Sequence, residues 1–475
     1  MNLGWRMVAA GAGWNQRPAL LMGDLVLTFA GLADLAQARA LAALGVGAGD
    51  RVVVNLPNGP DAAALPAACW RLSAVPVLAP RDLRPGALAE IAARTGARVV
   101  VSEPLDPRPA GDLPAGQDCP IGSIVFTSGS TGRPKGVVQR QETLLDRAVA
   151  VGRAIGFGQG DRLLSAVPWS HDYGWTQLLA LYARGVTLVL PESPGLAGLP
   201  EAMERHGATV LGGVPSAYAG LTRGVSDIRA RDRASVRLVM STGAPMSARV
   251  WEDLAEVFPG ARRVLNYGLT ETFRSATLRP EDEALAPRVV GSALQGSALC
   301  VVDEGGQVLP PGAWGEVVHR GAGVFEGYWD DPDQTALRRR PDPVTGRGYA
   351  VFTGDRGMLD DQGRLSLGDR IDRMVKVMGL SASPLAIETL LRDQPGVTAA
   401  AVVALPHEIL GAELVALLVG GDPRQAEAAC RAGLPPHERP RRILPRAALP
   451  LTASGKVDYP ALLRALAGTY PSKTA

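Results

Sequence analysis

Short apolar segments alternate with Ala/Leu-rich segments of helical length through the first half of the chain. Near the start, residues 32–44 and 62–72 have the composition of helices, and residues 51–55 and 74–78 that of buried strands. The apolar segments that continue this pattern are residues 97–102, 186–190, 209–211, 236–240 and 263–266. Because strands that alternate with helices form parallel sheets with helices on both faces, we expect an α/β fold.

The length and the later sequence indicate more than one lobe. A chain of 475 residues is too long for a single ordinary hydrophobic core. Near Gly291 the pattern changes to short strands and turns, and after Ile371 strands at 399–404 and 414–419 mix with helices at 384–393 and 424–432. The sequence therefore predicts a large N-terminal lobe of helix-covered, mainly parallel sheets with a β-rich subdomain, and a small α+β C-terminal lobe.

The composition is that of a globular protein and excludes several classes of partner. Hydrophobic residues make up 46% of the chain and charged residues 20%, and the formal net charge is only +2, so nothing points to nucleic acid or an anionic membrane. The chain has no run of eighteen apolar residues and its start lacks the pattern of a signal peptide, so we expect a cytoplasmic protein without a membrane span. The four cysteines are scattered, which predicts free thiols in a reducing compartment, and the scattered histidines argue against a His-based metal site.

A glycine- and hydroxyl-rich loop follows a β-branched segment at Ile124–Phe126. Its residues are Thr127, Ser128, Gly129, Ser130, Thr131 and Gly132, and Lys135 follows them. Such a loop can direct backbone N–H groups and hydroxyls to one point, where they bind phosphate oxygens, and Lys135 adds a mobile positive charge. A surface turn would have a similar composition, but the order Thr-Ser-Gly-Ser-Thr-Gly with Pro-Lys-Gly after it is too specific for one. The Gly-Lys-Ser/Thr spacing of a Walker loop is absent.

This loop resembles the phosphate loop of the adenylate-forming enzymes, a family that includes acyl-CoA synthetases, adenylation domains of peptide synthetases and firefly luciferase. Further motifs occur in the order of that family from about Thr28 to about Leu462. The resemblance implies an N-terminal domain at residues 1–369, with its β-rich part at about 291–369. It also implies a hinge at 370–372 and a mobile C-terminal domain at 373–475. ATP and Mg²⁺ are the implied cofactors.

Two loops resemble those that meet the nucleotide in the family. In the first, the resemblance places the Tyr267 ring against adenine, Thr270 at the α-phosphate and Glu271 on Mg²⁺. A carboxylate is a suitable ligand, because Mg²⁺ prefers carboxylate and phosphate oxygens. A helix start with a polar cap would explain the segment equally well if it stood alone. The other nucleotide-binding residues implied by these two loops are Asn266, Gly268, Gly243, Ala244 and Pro245, and Gly243 also borders the acyl pocket.

Three charged residues later in the chain complete the implied catalytic site. Asp355 matches the carboxylate that binds the ribose hydroxyls, and Thr-Gly-Asp in register favours this role over that of a solvated turn aspartate. Arg370 matches the second ribose or phosphate contact, and Asp372 matches the hinge residue. Lys456 lies on a loop behind a glycine and matches the lysine that bridges the substrate carboxylate and the α-phosphate during attack. With Thr270, Glu271 and Lys135, Lys456 is a predicted catalytic residue.

The segment around His171, Asp172 and Tyr173 bears on the acid that is activated. His171 matches the histidine that acyl- and aryl-CoA ligases place at the mouth of the acyl pocket. Asp172 matches the aspartate that amino-acid-activating members hold against the substrate ammonium, but a similar Asp-Tyr-Gly also occurs in acyl ligases. We therefore expect a small amino acid or amino-bearing acid, with a fatty or aryl acid as the alternative.

The predicted activity is ATP-dependent formation of an acyl adenylate and pyrophosphate, followed by transfer to a phosphopantetheine thiol on CoA or on an acyl or peptidyl carrier protein. Gln141 stands where a His is frequent, and Ala386 replaces a frequent Glu near the segment that contacts pantetheine in the family, so the acceptor stays open. Two other functions share the fold. A non-catalytic acyl-nucleotide sensor would not need Lys456, Glu271 and Asp355 together, and a luciferase-like oxygenase would carry every one of these motifs.

Overall fold

The computed structural model describes residues 13–33, 36–81, 83, 86–106, 108, 113, 119–127, 134–193, 195–224, 226–378, 380–407, 409–452 and 456–467. No helix within these residues is long and apolar enough to cross a membrane.

The N-terminal region carries most of the strands. They are β1 (Pro18–Met22), β2 (Leu25–Thr28), β3 (Arg51–Val54), β4 (Val75–Leu78), β5 (Val99–Val101), β6 (Ile121–Thr127), β7 (Lys135–Arg140), β8 (Arg162–Ser165), β9 (Thr187–Leu190), β10 (Val210–Gly213), β11 (Leu238–Ser241), β12 (Arg262–Tyr267), β13 (Ala276–Thr277), β14 (Gly291–Ala293), β15 (Ser297–Val302), β16 (Trp314–Gly321), β17 (Gly327–Tyr328), β18 (Arg339–Pro341), β19 (Tyr349–Leu359) and β20 (Arg364–Arg370). Its helices are α1 (Phe29–Leu32), α2 (Ala36–Ala43), α3 (Pro60–Arg71), α4 (Ala87–Thr95), α5 (Gln141–Ile155), α6 (Asp172–Arg184), α7 (Leu199–Arg205), α8 (Pro215–Arg223), α9 (Ala248–Val257) and α10 (Pro332–Arg338).

These strands form two main sheets with helices between them. The larger sheet has fourteen strands in the order β15-β16-β19-β20-β14-β13-β12-β11-β10-β8-β9-β1-β2, with β18 added beside β19. The smaller has the order β17-β7-β6-β4-β3-β5. Helix α3 contacts the smaller sheet and α6 the larger, and the rings of Trp70 and Trp175 meet at 5.8 Å where the two helices pack. Trp70 also donates to the Gly122 carbonyl of β6 at 2.7 Å, which ties this layer to the smaller sheet.

The parallel strands confirm the α/β prediction. Strands β8, β9, β10, β11 and β12 pair in parallel, as do β3, β4, β5 and β6. Their residues are buried on both faces, as in β9 and β11, because helices cover both sides. The β-rich change predicted near Gly291 is also present, since β13 to β20 are antiparallel where they pair.

One helix differs from the prediction. Residues 32–44 were expected to form one helix, but Leu32 ends the short helix α1 and the longer helix begins at Ala36. Thr28 caps α1, because its hydroxyl accepts the Gly31 amide at 3.1 Å.

The C-terminal region is smaller and has its own sheet. Its strands are β21 (Val375–Val377), β22 (Leu380–Ala382), β23 (Val397–His407), β24 (Gly411–Gly420) and β25 (Arg442–Arg446), and its helices are α11 (Pro384–Arg392), α12 (Pro423–Gly433) and α13 (Tyr459–Ala467). Strands β23, β24 and β25 form a three-stranded sheet. Alternate residues of β23 and β24 enter different clusters: Val402 packs in the cluster with Ile387 and Leu391 of α11, and Val403 in the cluster with Leu462 of α13. The sheet is therefore covered on both faces, in agreement with the predicted α+β lobe.

The cysteines are unpaired, as predicted. Cys69, Cys300 and Cys430 are buried and Cys119 is half-buried. Burial raises the pKa of Cys300 and of Cys430 to about 11 and that of Cys69 further still.

Candidate active site

The predicted site residues come together at the carboxyl ends of parallel strands in the larger sheet. Strand β11 ends at Ser241 and leads into Thr242 and Gly243, and β12 ends at Tyr267 and leads into the loop of Glu271. Ligands bind at this edge of open α/β sheets, because loops from neighbouring strands meet there.

A carboxylate, a phenol and a guanidinium form one end of the site. The buried carboxylate of Asp355, on β19, accepts the Tyr267 hydroxyl at 2.7 Å and lies 3.3 Å from Nη1 of Arg370. Burial raises the pKa of Asp355, and the positive charge of Arg370 opposes that shift. Arg370 also bonds both carboxylate oxygens of Asp372, at 3.0 and 3.2 Å. The structure thus brings Tyr267, Asp355, Arg370 and Asp372 into one hydrogen-bonded group, although Tyr267 and Asp355 are 88 positions apart in the sequence.

Glu271 lies beside a residue that the sequence analysis missed. The Tyr328 hydroxyl donates to Oε1 of Glu271 at 2.5 Å, and Nζ of Lys135 lies 5.2 Å from the centre of the Tyr328 ring. Lys135 donates to Oε1 of Gln334 at 2.6 Å. Tyr328 follows a glycine at the end of β17, which pairs with β7. The sequence shows an aromatic residue after a glycine at this position. It does not indicate that this residue contacts Glu271, which is 57 positions away.

The single carboxylate of Glu271 fits a magnesium ion whose other ligands are mainly phosphate oxygens. Among the residues described, no group of three His, Cys, Asp or Glu side chains could hold a metal ion alone. Mg²⁺ in nucleotide sites is held by one or two carboxylates, with substrate phosphates and water as the other ligands. A single carboxylate at Glu271 suits that arrangement.

A buried hydrogen-bond chain supports the Glu271 loop from behind. His319 of β16 is fully buried, with Nδ1 3.1 Å from the Ser275 hydroxyl and Nε2 3.0 Å from the Ala322 carbonyl. The Ser275 and Thr272 hydroxyls are 2.9 Å apart, and Thr272 accepts the Leu269 amide at 3.0 Å. Because a carbonyl only accepts, Nε2 carries the ring proton and Nδ1 accepts from Ser275. Burial lowers the pKa of His319 to about 4, so the ring is neutral at pH 7.

Lys456 reaches the same cleft from the C-terminal region. A Cβ added to Gly243 would lie 3.7 Å from Cε of Lys456, and the φ of +90° at Gly243 is one that only glycine adopts easily. Desolvation lowers the pKa of Lys456, while the negative charges of Asp172, Asp355 and Glu271 oppose this. Lys456 keeps exposed surface in spite of these neighbours, so its side chain lies in an open cleft. The predicted catalytic lysine is thus in the neighbourhood of the predicted nucleotide residues.

Asp172 begins helix α6 at the other side of the cleft. His171 is the N-cap residue of this helix, and Tyr173 donates to the Met240 carbonyl at 3.1 Å. Oδ1 of Asp172 is enclosed and has no hydrogen-bond partner among the residues that the structure describes. Burial raises the pKa of Asp172 to about 7, with Arg274 and Lys456 opposing and Glu271 adding to the shift. Asp172 is therefore a carboxyl group close to its titration point at neutral pH.

Arg274 is a second residue that the sequence analysis missed. It is 2% exposed, and its Nη1 donates to the Thr242 hydroxyl at 2.9 Å. The guanidinium carbon lies 5.6 Å from the centre of the Tyr173 ring. Burial lowers the pKa of Arg274, and the charge of Asp172 opposes that shift. The sequence shows a charged residue shortly after Glu271, but nothing in the sequence indicates that the side chain of Arg274 is buried.

Several other buried polar atoms near Tyr173 and Tyr267 have no hydrogen-bond partner within the described part of the chain. They are Oγ of Ser241, Oε1 of Gln177 and Nδ2 of Asn266. Buried polar groups in proteins are nearly always hydrogen-bonded, so a cluster of exceptions indicates a place where a polar ligand binds.

The remaining predicted residues lie as follows. Thr127 and Lys135 face each other in the β6–β7 pairing, at the two ends of the glycine-rich loop. Thr270 is buried and its carbonyl accepts from Gln139, whereas Gly243, Ala244 and Pro245 are exposed. Gly268 has no space for a side chain, because a Cβ would lie 2.9 Å from Cα of Arg274. The predicted phosphate-binding residues Ser128, Gly129, Ser130, Thr131 and Gly132 lie outside the described residues.

Family models match most of the chain. The model of the AMP-binding enzyme matches residues 8–121 and 121–329, and that of the AMP-binding enzyme C-terminal domain matches residues 386–456.

The relatives differ in how much of their own length is matched. Feruloyl-CoA synthase of an Amycolatopsis species is 30% identical over 92% of this chain and 94% of its own. Sulfoacetate–CoA ligase of Cupriavidus necator is 29% identical over 95% of each chain. CymA of Salinispora arenicola, a nonribosomal peptide synthetase by name, is 33% identical over 71% of this chain, which spans only 4% of that relative.

Solved structures agree with these matches. The amide bond synthetase McbA from Marinactinospora thermotolerans is 27% identical, with a TM-score of 0.82 over 98% of this chain and 99% of its own. The anthranilate CoA ligase AuaEII has a TM-score of 0.89 over 99% and 98% at 23% identity, which is a likeness of fold.

Proposed function

The chain belongs to the AMP-binding enzyme family and is an AMP-forming ligase, and we propose that it activates a small amino-bearing carboxylic acid and transfers it to a phosphopantetheine thiol. The observation that carries this proposal is the position of Lys456. It lies in one cleft with carboxylates that suit a ribose and a nucleotide-bound Mg²⁺, Asp355 and Glu271.

In the first step, an oxygen of the substrate carboxylate attacks the α-phosphorus of ATP. The bond from that phosphorus to the bridging oxygen of the β-phosphate breaks, and pyrophosphate leaves. Negative charge grows on the α-phosphate oxygens during this exchange, and Lys456 with Thr270 stabilises it. Asp355 and Arg370 hold the ribose, so that the α-phosphorus stays in line with the carboxylate. When bound, Mg²⁺ neutralises phosphate charge, and Glu271 is the protein carboxylate that would hold it.

In the second step, a thiol sulfur attacks the acyl carbonyl and loses its proton to solvent, and AMP leaves with the electrons of the broken C–O bond. Lys456 occupies the cleft in the described conformation, so it must withdraw before a long thiol arm can enter. We assign that movement to rotation of the C-terminal region about Asp372, whose carboxylate is held by Arg370 here. CoA and a carrier protein present the same phosphopantetheine arm. Relatives named as CoA ligases match over nearly their full length, which supports CoA, and CymA supports a carrier protein.

The amino group of the substrate is inferred from Asp172. Its enclosed Oδ1 lacks a donor, and an ammonium group would supply one together with an opposite charge. A fatty chain would leave Asp172, Ser241 and Gln177 unpartnered, at a cost of about 1–3 kcal/mol for each group.

A second candidate is an aryl acid that carries no ammonium group. The observation in its favour is that Arg274 and Lys456 already place positive charge near Asp172. In that case the two cations would compensate the negative charge of Asp172, and the carboxylate would have no direct contact with the substrate.

ATP–pyrophosphate exchange with a panel of amino acids, aminobenzoates, benzoates and fatty acids tests the proposal. We expect exchange with amino-bearing acids, its loss in Asp172→Ala, and a reduction of about 100-fold or more with every acid in Lys456→Ala. Strong exchange with octanoate or benzoate and none with an amino-bearing acid would establish the alternative. If no acid supports exchange in the wild-type protein, the chain is not an acid-activating ligase.

A further inference from the structure

Within the described part of the chain, Arg274 is a buried cation without an ion-pair partner. The hydrogen-bond acceptor recorded there for its guanidinium is the neutral Thr242 hydroxyl, at 2.9 Å. Its Nε is enclosed and has no hydrogen-bond partner among the same residues. Burying a guanidinium is unfavourable unless an anion and hydrogen-bond acceptors compensate it, so the arrangement is incomplete as it stands.

The surroundings of Arg274 connect it to the acyl side of the cleft. The Tyr173 ring lies beneath its guanidinium, and Tyr173 is adjacent to Asp172 at the start of α6. Thr242 precedes Gly243, the residue next to Cε of Lys456. Arg274 and Asp172 influence each other's pKa, but the structure records no hydrogen bond or ion pair between them among the described residues, so direct contact does not neutralise the two opposite charges.

Three other arginines among the described residues serve for comparison with Arg274. Arg373 pairs with Glu388 at 2.9 Å, and Arg320 pairs with Asp342 at 2.7 Å. Arg147 is closest in type to Arg274, because it is 6% exposed and donates to a neutral hydroxyl, Ser297, at 3.1 Å. Arg147 belongs to α5 and packs against the β-rich part, where Gly296 approaches it.

From these contacts we infer that Arg274 binds a second acidic group of the substrate, a carboxylate or sulfonate at the end of the acyl group remote from the reacting carboxylate. This inference rests on the proposed function and narrows its substrate class. Arg274 is then a specificity-determining residue, since it contacts the substrate but takes no part in the bond exchange. An acid that carries both an amino group and a second acidic group would meet Asp172 and Arg274 together.

The test compares acids that differ only in the charge of the remote group. ATP–pyrophosphate exchange is measured with aspartate against asparagine, glutamate against glutamine, succinate against its monoamide, and sulfopropionate against the corresponding methyl sulfone. We expect at least one charged acid to exceed its neutral partner by about 100-fold in kcat/KM, as for a fully buried charge pair. The pair that shows this preference also indicates whether Arg274 binds a carboxylate or a sulfonate.

Variants then assign the preference to Arg274. In Arg274→Met the ratio of charged to neutral partner should fall by about 100-fold, and Arg274→Lys should retain part of it, since lysine keeps the charge but not the two-pronged geometry. Arg147→Met is the matched control and should leave the ratio unchanged. A role confined to stability would lower both members of each pair equally.

Two outcomes overturn the inference. One is a wild-type protein that activates acids but shows no charged preference in any pair, a measurement that needs no variant to fold. The other is a preference that persists in Arg274→Met. Both leave the proposed function standing as long as exchange depends on Lys456, whereas absence of exchange with every acid would contradict both proposals.

Discussion

At the scale of single residues, the proposed contact of Asp172 with the substrate predicts that substrate binding depends on pH. Its pKa is raised to about 7, so the carboxyl group is mostly neutral at pH 6 and mostly ionised at pH 8. An ammonium substrate needs the ionised form. We therefore expect KM for an amino-bearing acid to fall as the pH rises from 6 to 8, measured by pyrophosphate exchange at saturating ATP.

Asp172→Asn is the control for this dependence. The amide does not titrate in this range, so the change of KM with pH should disappear even if the affinity is lower throughout. A wild-type KM that does not vary between pH 6 and 8 would show that Asp172 does not contact an ammonium group.

We expect the loss of the Lys456 side chain to slow the first half-reaction much more than the second. Lys456→Ala should reduce pyrophosphate exchange by about 100-fold or more, because a positioned charge at the reacting phosphate is lost. Thioester formation from a preformed acyl adenylate should be largely unaffected. In that step no carboxylate attacks the α-phosphorus, so the charge that Lys456 stabilises does not develop. The two rates are measured separately, and an equal loss in both would remove Lys456 from its proposed role.

At the scale of elements, the strand–helix alternation was predictable and the supports of the site were not. Residues 51–54 and 75–78 are apolar, β-branched and next to helical segments, so local pattern alone places β3 and β4. Asp355 and Lys456 were found because the short motifs around them are distinctive. Tyr328, Arg274 and His319 were missed, because each acts through partners brought near by the fold, such as Glu271 for Tyr328.

The hydrogen bonds of His319 predict that the conformation of the Glu271 loop depends on strand β16. His319→Phe preserves a ring but removes one hydrogen bond from the Ser275 hydroxyl and one from the Ala322 carbonyl, which keep only their bonds to Thr272 and Ser297. We expect a loss of about 1–3 kcal/mol in the free energy of unfolding and a higher KM for ATP. His319→Gln should recover part of the KM effect, which a change in packing alone would not allow.

The stability that His319 contributes also depends on pH. The folded pKa of about 4 is below the ordinary value of 6.5, so the unfolded chain binds a proton first as the pH falls. The contribution of His319 to stability is therefore complete above pH 6.5 and is lost progressively towards pH 4. Thermal unfolding across this range should show a smaller decrease of Tm in His319→Phe than in the wild type, and an identical decrease would contradict the assignment.

At the scale of the whole molecule, Arg223 links the two regions in the described conformation. Arg223, at the end of α8, is paired with Asp253 of α9, and its Nη1 donates to the Val397 carbonyl at the start of β23. Asp393, just after α11, accepts the backbone amide of Arg249. These contacts hold the C-terminal region where Lys456 reaches the cleft.

We expect Arg223→Ala to weaken this conformation. Pyrophosphate exchange should decrease several-fold, while thioester formation from a preformed adenylate is unchanged or faster, because the contact is absent once the C-terminal region has turned. Arg229→Ala is the matched control, since Arg229 pairs with Glu256 of the same region at 2.7 Å. A parallel decrease in both half-reactions would show that Arg223 serves stability only.

The burial of the cysteines bears on the lifetime of the product of the first step. An acyl adenylate acylates any thiolate that reaches it, and a ligase that makes one is exposed to its own product. Cys69, Cys300 and Cys430 are buried, and their raised pKa keeps them as thiols at neutral pH. These three sulfur atoms therefore do not compete with the incoming acceptor, and self-acylation of the chain, if any, is confined to amines and to the half-buried Cys119.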